Sequence, residues 1–250
     1  MVTMIYHAFL QFPFPFPLEN LMSLIYLKGL HPEDLSEDAE NWKTTVTNYW
    51  SVLSPIIFSD HPKRPGEEDP SPPYNMVRNV LDMNAHLGGF NSALLESGKS
   101  VWVMNVVPTS GPNYLPLILD RGFVGVLHDW CEPFPTYPRS YDLVHAKGLL
   151  TLQTHQQRRC TMLDLFTEID RLLRQRSNYA HIGFHHFNFI FLYLCTGWVI
   201  IRDTAPLVES ARMLTTRLKW DARVIEIESN SDDRLLICQK PFFKRQGVSS

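Results

Sequence analysis

One strand–turn–helix stretch constrains the fold of this chain more than any other part of the sequence. Val80–Leu81 is a short apolar run typical of a buried strand, Asp82 follows it directly, and Gly88–Gly89 opens a helical pattern. Glycines admit a ligand close to the backbone and helix N-termini offer unpaired N–H groups, so this pattern is typical of α/β proteins that bind nucleotide-type cofactors. Asn84 and His86 stand where the strict G-x-G-x-x-G pattern has glycine. An ordinary strand–turn–helix corner therefore explains the stretch as well as a cofactor site does.

Charge and cysteine spacing exclude several classes of function. The chain has 250 residues and a formal net charge of −3, whereas nucleic-acid binders are typically basic, so no nucleic-acid partner is expected. The cysteines are widely spaced and form no C-x-x-C pair, which predicts neither a zinc site nor a disulfide framework; they are Cys131, Cys160, Cys195 and Cys238. The apolar N-terminus lacks a basic region and the sequence has no run of about eighteen apolar residues, so neither a signal peptide nor a membrane span is expected.

The sequence divides into regions of different character. Residues 1–28 are rich in Phe, Leu and Pro without a clear period, and residues 29–73 combine an acidic helix start, an amphipathic helix and a proline-rich connector. Apolar side chains recur at helical spacing in that helix: Trp42, Val46, Tyr49 and Trp50. Residues 74–246 carry the main domain, and residues 247–250 form a tail.

Strands and helices alternate through the main domain. After Val80–Leu81, the predicted strands are 101–104, 123–127, 140–146 and 198–201, and the predicted helices are 114–119, 160–174 and 206–218. Two β runs, 223–228 and 235–239, are separated by turn-forming residues and close the domain as a hairpin. This order predicts an α/β fold with a mostly parallel sheet and an antiparallel C-terminal hairpin.

Polar residues and glycines follow the predicted strands, where an open α/β sheet binds its ligands. They are Asp82, Asn84, Gly88 and Gly89 after the first strand, Asn105 after the second, Asp129 and Trp130 after the third, and His145 after the fourth. This set fits an adenosine-containing ligand. Glycines allow close approach, a polar side chain binds ribose hydroxyls, and an acid beside a tryptophan can bind and stack on adenine.

Several long motifs identify a family resemblance. They are RNVLDMNAHLGGFNSALLE, VWVMNVVPTSGPNYLPLILDRGFVGVLHDWCEPFPTYPRSYDLVHA, LFTEIDRLLR, GWVIIRDTAPLVESAR and LLICQKPFFKRQ, preceded by GLHPEDLSEDAENWKTTVTNYWSVLSPIIFSDHPKRP. With these motifs the chain resembles the Rossmann-like fold of class I S-adenosylmethionine-dependent methyltransferases. More narrowly, it resembles the plant family of Quasimodo-type and Tumorous-shoot-development-type pectin methyltransferases, over residues 29–174 and 197–246.

The resemblance implies an activity, a cofactor and partners. It implies a Golgi type II membrane protein that uses S-adenosyl-L-methionine to methyl-esterify the polysaccharide homogalacturonan in the lumen. Family chains are longer than this one and carry a membrane anchor and two methyltransferase-like halves. This chain resembles the second half without the anchor. We therefore expect a soluble chain that pairs with another methyltransferase-like half or with other enzymes of pectin synthesis.

The resemblance also implies residue roles. Asp82, Asn84, Gly88, Gly89 and Asn105 are expected to hold the methionine end and the ribose of the cofactor, Asp129 and Trp130 the adenine, and His145 is expected to orient the acceptor as the catalytic residue. A carboxylate acceptor is a ready nucleophile, so neither a catalytic triad nor a metal is expected. Two alternatives stay open: a non-catalytic half that supports folding or docking, and a truncated splice or gene-model product.

Residues 1–28 and 175–196 match no family motif. FNFIFLYLC in the second segment is what pyrimidine-rich codons encode, and FLQFPFPFPL in the first is similar. We hypothesise that both segments come from a gene model or a splice variant. Three histidines lie in the second segment, so their spacing does not predict a metal site; they are His181, His185 and His186.

Overall fold

The structure is a computed structural model, described here for residues 31–57, 77–99, 101–154, 159–174, 197–227 and 232–240. The predicted connector in 59–73, the two segments without a family motif and the three histidines lie outside the described residues. The chain divides into two compact units, Met1–Asp129 and Trp130–Ser250.

The first unit contains three parallel strands and three helices among its described residues. In chain order they are α1 (Pro32–Ile57), β1 (Asn79–Asp82), α2 (Gly89–Glu96), β2 (Trp102–Pro108), α3 (Leu115–Asp120) and β3 (Gly125–His128). Strand β2 lies between β1 and β3 and pairs in parallel with both. The predicted strand–turn–helix stretch is confirmed, because β1 ends at Asp82 and α2 begins at Gly89.

Helix α1 forms where the sequence predicts an amphipathic helix. Its first turn contains Glu33 and Asp34, whose charges complement the partial positive charge of a helix N-terminus. Trp42, Val46 and Tyr49 recur at helical spacing and are buried. This apolar side of α1 is the reason that the helix packs against α2.

The second unit contains four strands and three helices among its described residues. In chain order they are β4 (Leu143–Lys147), α4 (Leu149–Thr154), α5 (Met162–Leu172), β5 (Trp198–Thr204), α6 (Ala205–Arg217), β6 (Asp221–Glu226) and β7 (Asp233–Gln239). Strands β4 and β5 are parallel, whereas β7 pairs antiparallel with both β5 and β6. The predicted fold class, a mostly parallel α/β fold with an antiparallel C-terminal hairpin, is confirmed.

Carboxylates cap two helices of the second unit. The Thr161 hydroxyl accepts the N–H of Asp164 and the Asp164 carboxylate accepts the N–H of Thr161, a reciprocal capping box that starts α5 and lowers the pKa of Asp164. The buried Asp203 carboxylate accepts the N–H groups of Leu150 and Thr151 at 2.9 and 3.1 Å and so starts α4. Helix α4 is absent from the sequence prediction because its 6 residues are too few to show a helical period.

Several predicted strand ends are wrong, and two of them belong to strands that carry predicted site residues. Strand β2 continues to Pro108 because the apolar residues 106–108 pair with β3, and β4 continues to Lys147 beside β5. Asn105 therefore lies inside a strand and not after it. His145 also lies inside its strand, within both the predicted range 140–146 and the observed range of β4. Within the described ranges, no helix is long and apolar enough to cross a membrane. The same ranges hold no group of three or more His, Cys, Asp or Glu side chains placed to bind a metal ion.

The two residues that flank the 175–196 segment, Arg174 and Gly197, contact each other. The N–H of Gly197 donates to the carbonyl oxygen of Arg174 at 3.1 Å. Arg174 is held by a 2.8 Å ion pair with the buried Asp142 carboxylate. A carbonyl oxygen that accepts an N–H in this way closes a β-turn when two residues separate the acceptor residue from the donor residue. Two residues are therefore enough to join Arg174 to Gly197.

We predict that replacing residues 175–196 with Asp-Gly preserves the fold. The free energy of unfolding should stay the same or rise by up to about 2 kcal/mol, because a shorter loop costs less closure entropy. Urea unfolding followed by circular dichroism measures this change. A Gly/Ser linker of the original length is the control that separates loop length from loop sequence. Loss of the cooperative transition in the Asp-Gly variant alone would contradict the prediction.

Candidate functional site

The turn after β1 brings Asp82 close to the glycine pair. Asp82 is the last residue of β1 and is buried. Two backbone hydrogen bonds hold the turn, from Ala85 N–H to Val106 C=O at 2.9 Å and from Gly88 N–H to Ala85 C=O at 2.7 Å. Gly88 has a φ of +80°, a conformation that favours glycine. The sequence therefore needs a glycine here for the turn itself.

The two residues that replace glycines of the strict pattern remain accessible. His86 is exposed and has a φ of 48°, which few non-glycine residues adopt. Its ring centroid lies 4.8 Å from that of Tyr114. Asn84 is half-buried. Their predicted contact with a cofactor stays a prediction.

Both glycines of the pair are packed against neighbouring side chains. A Cβ atom on Gly89 would lie 2.1 Å from Trp42 Cδ1 and 2.2 Å from Asp38 Oδ2, so α1 touches the backbone of the first turn of α2. A Cβ atom on Gly88 would lie 3.3 Å from the ring of Phe123. The space on the Cβ side of Gly89 is thus filled by α1. A cofactor contact through the backbone of Gly88 or Gly89 stays a prediction.

Arg121 ties the same turn to the end of α3. Its guanidinium donates to the carbonyl oxygen of Leu87 and lies 5.2 Å from the centre of the Phe123 ring. Burial lowers the pKa of Arg121, and the nearby Asp38 carboxylate opposes this shift. Sequence reasoning misses Asp38, Trp42 and Arg121 as neighbours of the glycine turn, because they come from segments far from it in the chain.

Asn105 lies level with the end of β1. It is the register partner of Asp82 in β1 and of Gly125 in β3. Its Nδ2 donates to Val124 C=O at 2.8 Å, whereas its Oδ1 is buried and accepts no hydrogen bond from the part of the chain that the structure describes. A buried acceptor left in this state costs about 1–3 kcal/mol, so a donor from a ligand hydroxyl would stabilise it.

Asp129 follows β3 as the sequence predicts and is half-buried. The residue before it, His128, is fixed because its carbonyl oxygen accepts the N–H of Thr109 at 3.0 Å. The first unit therefore places Asp82, Asn105 and Asp129 on three adjacent parallel strands or directly after them.

Trp130 and His145 belong to the second unit and are buried there. The Trp130 ring stacks on Phe134, with centroids 5.6 Å apart and planes at 25°. His145 lies inside β4 beside Ile200 of β5. Both side chains thus contribute to the interior of their unit. Adenine stacking by Trp130 and acceptor orientation by His145 stay predictions.

A disulfide joins Cys131 to Cys160, with Cα atoms 5.3 Å apart and a sequence separation of 29 residues. The prediction that the cysteines form no disulfide is wrong for this pair. Their spacing carries no signal, because the residues after β3 and before α5 meet only in the folded chain. Cys238 is free and buried, and burial raises the pKa of its thiol.

The fold is that of a class I S-adenosyl-L-methionine-dependent methyltransferase. A glycine turn leads from the first strand into a helix, Asp82, Asn105 and Asp129 lie on parallel strands or directly after them, and the C-terminal hairpin is antiparallel. A protein-family model described as "Putative S-adenosyl-L-methionine-dependent methyltransferase" matches residues 14–180. The chain belongs to this family, whose cofactor is S-adenosyl-L-methionine. The match includes residues 14–28 and 175–180, parts of both segments that the sequence analysis places outside the family motifs.

Relatives from Arabidopsis thaliana match most of the chain. It is 70% identical to "Probable pectin methyltransferase QUA2" over 89% of this chain and 30% of that protein. It is 52% identical to "Probable methyltransferase PMT4" over 90% of this chain and 34% of that protein. The chain thus spans about a third of the length of these relatives. A solved SAM-dependent methyltransferase from Archaeoglobus fulgidus aligns with a TM-score of 0.48 at 12% identity, over 79% of this chain and 94% of that chain.

We predict that Gly89→Ala destabilises the chain by overpacking, at a cost of about 1–3 kcal/mol or more, because the added Cβ meets α1. Gly98→Ala is the matched control, since a Cβ there meets nothing within 4 Å. The only cost at this position is the backbone strain of an alanine with a φ of +66°. That strain costs about 1 kcal/mol. Urea unfolding measures both changes. Equal losses for the two variants would contradict the contact between α1 and Gly89.

Proposed function

We propose that the chain is the cofactor-binding part of a pectin methyltransferase that transfers a methyl group to uronate carboxylates of homogalacturonan. Family membership and the 70% identity to a protein named as a pectin methyltransferase support the proposal. The structural observation that carries it is the buried Asn105 Oδ1, which accepts no hydrogen bond within the described residues and lies level with the end of β1.

Three side chains of the first unit fit S-adenosyl-L-methionine. Asn105 Oδ1 accepts a hydrogen bond from a ribose hydroxyl, Asp129 accepts one from the adenine amino group, and Asp82 supplies negative charge for the methionine ammonium group. Backbone contacts of Gly88 and Gly89 with the methionine end of the cofactor remain part of this proposal, and Trp42 and Asp38 fill only the space on the Cβ side of Gly89.

The cofactor supplies a methyl group that its sulfonium charge makes electrophilic. A uronate carboxylate is ionised at neutral pH and attacks carbon without losing a proton, so the chain needs no general base. The chain then contributes binding, orientation and exclusion of water, worth up to about 7–11 kcal/mol in a near-attack geometry. His145 as the residue that orients the acceptor is part of this proposal.

The Golgi lumen is the compartment that we propose. The Cys131–Cys160 disulfide supports it, because disulfides persist in the oxidising secretory pathway and are rare in the cytosol. Membrane attachment, a second methyltransferase-like half and contacts with other pectin-synthesis enzymes are proposals for the longer protein, since this chain spans 30% of its 70%-identical relative.

A second candidate function is a non-catalytic half that supports folding or docking of the longer protein. One observation favours it: α1 packs on the Cβ side of Gly89, in the first turn of the helix whose N-terminus would bind the cofactor in a methyltransferase of this class. Asn84 and His86 in place of glycines agree with this candidate. Cofactor binding separates the two functions.

The test is calorimetric titration of S-adenosyl-L-homocysteine into the chain and two variants. The wild-type chain should bind, and Asp129→Asn should weaken binding by about tenfold or more, because it removes a charged hydrogen-bond acceptor. Asp221→Asn removes an exposed carboxylate at the start of β6 and should leave the affinity unchanged. Transfer of a labelled methyl group to polygalacturonate then tests the acceptor.

The outcomes separate the two candidates. The enzyme is supported if the wild-type chain binds S-adenosyl-L-homocysteine, Asp129→Asn weakens that binding and Asp221→Asn leaves it unchanged. A chain that unfolds cooperatively but binds no S-adenosyl-L-homocysteine overturns the enzyme and supports the non-catalytic half. Equal weakening by both substitutions overturns the assigned role of Asp129.

A further inference from the structure

Two basic residues lie side by side at the carboxyl ends of β4 and β5. Lys147 is the last residue of β4, and its register partner in β5 is Arg202. The N–H of Gly148 donates to the carbonyl oxygen of Arg202 at 2.8 Å, which fixes the end of β4 against β5. Register partners place their side chains on the same face of a sheet, about 4.7–4.9 Å apart at the backbone. Two cations at this spacing repel each other, so an anion that binds both stabilises the pair.

One carboxylate of the chain lies beside the pair. Asp233, the first residue of β7, accepts a hydrogen bond from Arg202 Nε at 3.1 Å. The side chains of Arg202 and Asp233 are 14% and 34% exposed, so solvent reaches part of the ion pair. Within the described residues, Nε is the only side-chain group of Arg202 that donates a hydrogen bond, which leaves both Nη groups to a ligand. One carboxylate beside two cations leaves a net positive charge.

The neighbouring Asp203 does not neutralise this charge. It follows Arg202 directly in β5, so its side chain points to the opposite face of the sheet. Its Oδ2 accepts the N–H groups of Leu150 and Thr151, and its Oδ1 accepts the Thr151 hydroxyl and the N–H of Thr204. Both oxygens of Asp203 are thus occupied at the start of α4.

The basic pair lies on the same face of β4 as His145. The two β4 residues are separated by one position, and side chains alternate between the faces of a strand. His145 is fully buried beside Ile200, whereas Lys147 is half-buried. This face therefore becomes accessible towards the carboxyl end of β4, the end at which open α/β sheets bind their ligands.

We propose that Lys147 and Arg202 bind a carboxylate of the acceptor, a polymer of uronate units. This inference rests on the proposed function, and the site lies wholly within the second unit. A carboxylate fits because a guanidinium offers N–H donors to both of its oxygens and an ammonium group adds a charge-assisted hydrogen bond. A methyl-esterified uronate has no charge and binds less tightly. The site thus selects stretches of the polymer that are not yet methylated.

Calorimetric titration of polygalacturonate into the chain tests the proposal. Lys147→Gln and Arg202→Gln each remove one positive charge. Each should weaken binding by about tenfold, because hydrogen bonds between charged groups are the strong ones. Polygalacturonate whose carboxylates are methyl-esterified should bind the wild-type chain about tenfold more weakly for the same reason.

Arg212→Gln is the matched control. Arg212 of α6 also belongs to an ion pair of the second unit, with Glu209 at 2.6 Å, and its side chain is 50% exposed. The substitution changes the net charge of the chain by the same amount as Arg202→Gln. It should alter the affinity for polygalacturonate by less than about twofold, because exposed charges contribute little.

A further variant keeps the test decisive if Arg202→Gln does not fold. Asp233→Asn retains both cations and removes the carboxylate that competes for Arg202. Polygalacturonate should bind this variant about two- to fivefold more tightly, because a competing ion pair of this exposure is worth up to about 1 kcal/mol. Thermal unfolding of every variant shows that the chains compared are folded.

The outcomes separate this site from the proposed function. The site is supported if both glutamine variants at 147 and 202 weaken binding while Arg212→Gln does not, or if Asp233→Asn tightens it. Equal weakening by Arg212→Gln, unchanged affinity in the folded variants, equal binding of the esterified polymer, or no binding of polygalacturonate by the wild-type chain overturns the site. Binding of S-adenosyl-L-homocysteine and methyl transfer to polygalacturonate by the wild-type chain decide the proposed function, which stands if both occur without these effects.

Discussion

The contact between α1 and the backbone of Gly89 is the constraint on which the first unit depends. A side chain of any size at this position would collide with Trp42 and Asp38, so the glycine makes the approach of the two helices possible. The ring of Trp42 continues the contact to Phe90, with centroids 5.4 Å apart. The glycine-rich turn thereby serves helix packing. We propose that polar groups on the strands contact the adenosine part of the cofactor.

Those polar groups occupy positions that the sheet defines. Asp82 and Asn105 are register partners, whereas Asp129 follows β3 four residues beyond Gly125, the register partner of Asn105. The buried Asn105 Oδ1 is the clearest sign that this part of the sheet accommodates a hydrogen-bond donor. In the second unit, the loop of residues 131–140 is held by the Cys131–Cys160 disulfide and by Arg171, which donates to two backbone carbonyl oxygens of the loop. These bonds restrain the backbone of a loop that has no helical hydrogen bonds of its own.

The sequence predicts the parts of this fold whose signals are local. The period of apolar residues reveals α1 and α5, and the strand–acid–glycine order reveals the turn from β1 into α2. The end of β2 is missed because the polar Asn105 interrupts the apolar run, which Val106 and Val107 then continue. Contacts between distant segments leave no local signal, which is why the Cys131–Cys160 pair and the approach of α1 to Gly89 emerge only in the structure. The sequence correctly places Asp129 directly after β3, whereas Asn105 and His145 lie within β2 and β4.

The central claim is that the strand-end residues bind the cofactor while α1 stays against the glycine turn. Amide hydrogen exchange with and without S-adenosyl-L-homocysteine tests this claim most directly, because it reports on each segment separately. The account predicts slower exchange on ligand binding around Asn105 and Asp129, with α1 and the first turn of α2 unchanged. Faster exchange in α1 on ligand binding would show that α1 leaves Gly89 to admit the cofactor, and would contradict the account.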